Sequence, residues 1–136
     1  MLNKIHAVNS ANKQSATKAT RMKALMPTLR EKKRYVAFKI MSENKILNFD
    51  AVSNAISESG KRLYGEIGMA EVGLIPVKER WNPEKQLGLV RVSHKHVNHI
   101  KAAFALITKI DNHKAIVSSI GTSGIMKKAV ERYMAG

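Results

Sequence analysis

The sequence contains no cysteine, which removes disulfides, thiolate metal ligands and cysteine nucleophiles together. No run approaches the roughly 18 apolar residues that span a bilayer, and the uncharged apolar stretch Ala102 to Thr108 is far shorter. The N-terminus shows no apolar core followed by a small-residue cleavage site, so no secretory signal is read there. A cytoplasmic protein with no membrane partner is expected. Acid is the other scarcity. Only 10 Asp and Glu stand against 24 Lys and Arg in 136 residues, a net charge of +14. Such an excess repels itself in a compact state and is relieved by a polyanion, of which nucleic acid is the obvious one.

What is present suits one compact domain. The hydrophobic fraction is 44%, ordinary for a globular protein. Charge is unevenly spread: residues 1–34 hold nine basic residues against Glu31 alone. Asn9 to Thr20 is built from Asn, Ser, Ala, Lys, Gln and Thr, which favours a flexible basic arm over residues 1–26. Pro27 marks the approach to a folded body over 27–136.

From Tyr35, Val36, Phe38 and Ile40 alternate with Ala37, Lys39 and Met41, a strand with one strongly apolar face. Asn48 or Asp50 can cap a helix whose stripe is Phe49, Val52, Ile56, Leu63 and Ile67, with Gly60 permitting close packing on a sheet and Gly68 as the stop. Val72 to Trp81 is extended, and Pro76 makes it an edge strand because proline donates nothing to a ladder. Asn82 to Gln86 turns the chain into a strand at Leu87–Ser93. Ser93 can cap a second helix carrying Val97, Ile100, Phe104 and Ile107. His113 to Ile120 is a fourth strand, Gly121 to Gly124 punctuates, and Ile125, Met126, Ala129, Val130, Tyr133 and Met134 stripe a short last helix. The expected fold is therefore α+β: a ferredoxin-like β-α-β-β-α-β sandwich with an extra C-terminal helix and a basic N-terminal arm.

Catalytic signals are weak. No pair of acids has a defensible acid/base spacing, and no Walker or dinucleotide-type glycine loop occurs. Gly-Thr-Ser-Gly at 121–124 reads either as an exposed hydroxyl or as a turn in which Thr122 or Ser123 caps the last helix. His94, His96 and His99 form the one metal-like cluster, but Lys95 and Lys101 flank it and no acid lies nearby in sequence. A sheet that stacks bases needs aromatic residues on its central strands, and Gly88 to Val92 has none, which leaves Tyr35 on the first strand. The strongest nucleic-acid signal is Leu-Arg-Glu-Lys-Lys-Arg-Tyr at 29–35, where four cations precede a buried strand and can reach phosphates without reading sequence. In the second helix, Ala102, Ala105 and Leu106 extend apolar character beyond the main stripe. That outer side is met either by a protein partner or by the terminal helix or arm of the same chain.

The ordered motifs resemble a family. Pro-Thr-Leu-Arg-Glu-Lys-Lys-Arg-Tyr-Val-Ala-Phe at 27–38, Gly65-Glu66, Gly88-Leu89-Val90-Arg91-Val92, Ala103-Phe104-Ala105-Leu106-Ile107, and Ser123-Gly124 followed by Lys127-Lys128-Ala129 are similar to archaeal ribonuclease P protein component 2 over roughly residues 25–130. The resemblance implies a non-catalytic subunit of the ribonucleoprotein that removes 5′ leaders from precursor tRNA. In that family the RNA performs the Mg²⁺-dependent hydrolysis, the protein binds no cofactor itself, and it pairs with component 3, as a heterodimer or a dimer of heterodimers, beside other protein subunits. On this reading Arg30, Lys32, Lys33, Arg34 and Arg91, then Lys95, Lys127, Lys128 and Arg132, neutralise RNA phosphates, and Ala102, Ala105 and Leu106 face the partner. Composition alone suits a ribosomal or other structural RNA-binding protein equally. A small-molecule-sensing ferredoxin-like domain leaves +14 unexplained, and a histidine-based metal hydrolase requires a bound metal and cleavage without RNA.

Overall fold

A computed structural model describes residues 32–135; the N-terminal arm and Arg30 lie outside them. The chain runs β1 (Lys33–Ser42), α1 (Phe49–Val72), β2 (Ile75–Pro76), a 3₁₀ turn (Lys78–Arg80) and β3 (Leu87–Ser93). A second 3₁₀ turn (His94–His96), α2 (Val97–Leu106), β4 (Lys109–Ile110), β5 (His113–Ser123) and α3 (Met126–Ala129) follow, the last continued by a π turn (Val130–Met134). The strands form one sheet in the order β2-β3-β1-β5-β4, with every pairing antiparallel. This is the expected α+β, ferredoxin-like arrangement with Pro76 in the edge strand, and it carries one strand more than expected.

Strand alternation sorts the core into two layers. Val36, Phe38 and Ile40 of β1 and Val90 and Val92 of β3 are buried in one cluster with Val52 and Ile56 of α1 and Ile100, Ala103 and Phe104 of α2. Ala37 and Leu89, on the opposite face, pack with Ala129 and Met134 of the C-terminal segment. Aromatic rings thicken the first layer: Phe38 lies 5.5 Å from Phe104 and 6.3 Å from Trp81 between centroids. The Ser59 hydroxyl donates to the Ala103 carbonyl and ties the two long helices together.

Several local expectations change. Asn48 does cap α1, its side chain accepting from the Asp50 N–H at 2.9 Å. The helix does not stop at Gly68, however. It turns a corner at Gly65 (φ 72°, ψ 176°) and ends at Gly73. The corner re-phases the apolar stripe, so Leu63 and Ile67 are exposed, at 41% and 82%. It also folds Met69 back onto Gly60, where a β-carbon would stand 2.5 Å from the Met69 sulfur. Gly60 thus makes room for a methionine rather than for the sheet. The predicted extended segment from Val72 shrinks to the two residues of β2, because helix occupies Val72 and a 3₁₀ turn follows.

Ser93 makes no side-chain cap bond, and a 3₁₀ turn intervenes before α2. The unforeseen β4 pairs with the start of β5 through a tight turn in which Asp111 and Asn112 both have positive φ, 52° and 64°. Those two residue types tolerate that region and suit a two-residue hairpin. Lastly, residues 121–123 do not punctuate: β5 runs through Ser123, with Ile120 as a bulge between the Ala37 and Phe38 pairings. A β-carbon on Gly121 would overlap the Tyr133 ring, so glycine there lets the C-terminal segment lie flat on the sheet.

Candidate nucleic-acid interface

Antiparallel register builds the site. β1 begins where β3 and β5 end, with Lys33 opposite Ser93, Tyr35 opposite Arg91 on one side, and Tyr35 opposite Ser123 on the other. The basic run at the start of β1 therefore meets Arg91, Lys95 two residues beyond β3, and Lys127 four residues beyond β5. Residues separated by about 60 and 90 positions in sequence share one end of the sheet. The connections and first helical turn at the opposite end carry Glu43, Asp50, Glu84 and Asp111. The molecule is thus polarised, and a polyanion approaching it is drawn to the Lys33 end.

The cations are not equivalent. Lys32 is exposed, while its carbonyl accepts from the His94 N–H at 2.9 Å and from the His94 ring Nδ1 at 3.1 Å, which extends the β1–β3 ladder by one residue. The Lys33 ammonium lies 3.6 Å from the position of a β-carbon on Gly73. That places it at the C-terminal end of α1, whose last turn has no basic residue of its own and whose dipole favours a cation. Arg34 Nη1 donates to the Lys33 carbonyl at 3.0 Å. Lys95, Lys127, Lys128 and Arg132 are exposed. Arg91 is half-buried, and its Nε has no hydrogen-bond partner.

Base stacking across the sheet centre, weighed above for Tyr35, is blocked where α3 and the π turn cover Ala37 and Leu89. The histidines pack with one another rather than converging on an ion. His96 and His99 rings are 4.8 Å apart and Tyr64 stacks on His99 at 4.9 Å, while the Tyr64 hydroxyl donates to the His99 carbonyl at 2.9 Å. Among the described residues, no three His, Cys, Asp or Glu side chains stand together as a metal set. The Ser123 hydroxyl is engaged with Ile125, accepting from its N–H at 3.2 Å and donating to its carbonyl at 3.1 Å. That is turn chemistry rather than an activated nucleophile.

Ala102, Ala105 and Leu106 are exposed on α2, and neither α3 nor the π turn covers them: those elements lie on the other face of the sheet, against Ala37 and Leu89. Beside Ala105 opens an apolar groove of about 800 Å³, lined by Phe104, Ile107, Met41, Ile116 and Val117 among others. Met41 and Ile116, 51% and 60% exposed, are partners across β1 and β5. Sequence reasoning missed them, because each stands on a polar-looking face of its own strand and only the register joins them to α2.

A model of the Rpp14/Pop5 family matches residues 34–134. The chain is 36% identical over 114 residues to ribonuclease P protein component 2 of Pyrococcus furiosus, spanning 84% of this chain and 92% of that protein. It is 38% identical over 113 residues to the Thermococcus gammatolerans protein of the same name, spanning 83% and 92%. The Methanosarcina acetivorans protein is 34% identical over 113 residues, spanning 83% and 82%. In fold, the structure is similar to a chain in the cryo-EM structure of yeast ribonuclease MRP, with a TM-score of 0.54 and 16% identity over 70% of this chain and 76% of that one.

Proposed function

The chain belongs to the Rpp14/Pop5 family, and we infer from that premise that it is a protein subunit of ribonuclease P, working beside the particle's RNA and its other protein subunits in tRNA processing. Its role in this reading is electrostatic and structural. The basic end of the sheet neutralises phosphates where RNA helices converge, so the cleavage-competent RNA fold forms at lower Mg²⁺. The Mg²⁺ and the hydrolysis that removes the 5′ leader from precursor tRNA belong to the RNA. Arg30, Lys32, Arg34, Arg91, Lys95 and Lys127 supply the principal contacts, with Lys33, Lys128 and Arg132 beside them. Ala102, Ala105 and Leu106 face component 3, whose apolar side chains fill the groove between Met41 and Ile107.

One observation carries the reading: the cations that sequence scatters over 100 residues converge at one end of the sheet, while four acids occupy the other. Binding of ribonuclease P RNA, followed by fluorescence anisotropy over a range of KCl concentrations, tests it. Affinity should fall linearly on a double-logarithmic plot with a slope of several units, each phosphate contact contributing about 0.7–0.9. A slope near zero contradicts the electrostatic role.

A further inference from the structure

Five buried side-chain polar atoms among the described residues have no hydrogen-bond partner: Trp81 Nε1, Arg91 Nε, Ser93 Oγ, His96 Nδ1 and Thr122 Oγ1. Buried polar atoms in folded proteins are nearly always satisfied, so their distribution is informative. Arg91 and Ser93 stand one strand repeat apart on the same face of β3. That face carries Ala37 and Leu89 under the C-terminal segment, and the row containing Arg91 and Tyr35 is the next one along the sheet. Ser93 is fully buried. An N–H of a guanidinium and a hydroxyl thus lie side by side, lacking an acceptor, at the most basic end of the molecule. Thr122 pairs with Val36 and by alternation belongs to the other face, apart from this pair.

We propose that Arg91 and Ser93 form a site for one phosphate of an RNA backbone, seated beside Tyr35 at the margin of α3. The proposal rests on the RNA-subunit reading and deepens it. An Arg Nε–H donates and does not accept, so its partner carries acceptor oxygens. The guanidinium presents donors in a planar fork that matches phosphate, which a lysine ammonium does not reproduce. Lys33 stands opposite Ser93 and Lys95 follows two residues later, so negative charge is favoured over a neutral acceptor. The segment before β1 is a poor source of that acceptor, because residues 1–31 contain one carboxylate, Glu31. The site reads backbone rather than sequence, and it differs from the exposed lysines in requiring the geometry of arginine as well as its charge.

The test uses the full chain and two readouts. First, the Arg91 Nε–Hε resonance is followed by NMR while a five-nucleotide oligouridylate is added; it should shift and become protected from solvent exchange. Second, Arg91→Lys should bind ribonuclease P RNA about five- to tenfold more weakly with the salt slope unchanged, whereas Lys128→Arg should bind as wild type does. An Arg91 resonance that stays still at saturation overturns the proposal, as does wild-type affinity in Arg91→Lys. A resonance already protected in the protein alone also overturns it, since the acceptor then belongs to the chain itself. Wild-type protein that binds neither RNA removes the RNA-subunit reading as well, whereas normal binding with a silent Arg91 removes only this site.

Discussion

Replacing Lys32, Lys33 and Arg34 together by Ala separates charge that serves RNA from charge that serves the fold. Lys32 has an exposed side chain. Lys33 sits at the C-terminal end of α1 beside Gly73, and Arg34 donates to the Lys33 carbonyl. A cation at a helix C-terminus contributes about 0.3–1 kcal/mol, and a hydrogen bond of the Arg34 kind contributes about 0.5–1.5 kcal/mol. The triple variant should therefore lose roughly 1–2 kcal/mol, lowering Tm by about 5–15 °C for a domain of this size, and remain folded at 25 °C. If all three cations also lie against phosphates, the slope of log affinity against log salt falls by about 2–2.7 units. Lys32→Ala alone should lower the slope by about 0.8 unit with Tm unchanged. Fluorescence anisotropy with ribonuclease P RNA between about 50 and 300 mM KCl, paired with thermal melts, reads both quantities. A slope change below about 0.5 unit in the triple variant refutes phosphate contact by this run; an unchanged Tm refutes the internal roles of Lys33 and Arg34.

Other changes follow from single contacts. Buried Gln86 holds Ile46 at both its N–H and its carbonyl, at 2.9 Å each, so Gln86→Ala should cost about 2–3 kcal/mol in chemical denaturation without altering the salt slope for RNA. Gly121→Ala drives a β-carbon into the Tyr133 ring and should destabilise by about 1–3 kcal/mol; adding Tyr133→Ala should return part of the loss, a non-additivity read by a double-mutant cycle. Ala105→Glu with Leu106→Glu changes exposed positions, so stability should stay within about 0.5 kcal/mol per site. Calorimetric titration with component 3 should nevertheless show at least about tenfold weaker binding, or about 1.4 kcal/mol; wild-type affinity there contradicts the assigned partner face.

The sandwich was legible because its signals are strong and local. Val36, Phe38 and Ile40 alternate without interruption, Pro76 marks an edge, and Asn48 announces a helix. The corner in α1 was not, because Gly65 and Gly68 are equally good stops in the sequence, and the choice is made by Met69 packing on Gly60. β4 is two residues long, too short for any periodicity, and its only trace is the Asp111-Asn112 turn. Gly121 looked like punctuation because glycine weakens a strand; here the missing side chain is what the Tyr133 ring needs. At the site, the basic run before β1 stood out by density alone. Its convergence with Arg91, Lys95 and Lys127 is a property of register, and the difference between exposed Lys32 and internally placed Lys33 exists only in three dimensions. The groove beside Ala105 draws Met41 and Ile116 from separate strands, for which sequence offers no shared pattern.

The central claim is that this chain assists an RNA catalyst. Its most direct test is reconstitution with the cognate ribonuclease P RNA and component 3, scoring removal of the 5′ leader from precursor tRNA at limiting Mg²⁺. The account predicts that the two proteins together raise cleavage by the RNA and shift its Mg²⁺ requirement downward, while neither protein cleaves without the RNA. Firm RNA binding with no change in cleavage at any Mg²⁺ concentration contradicts it.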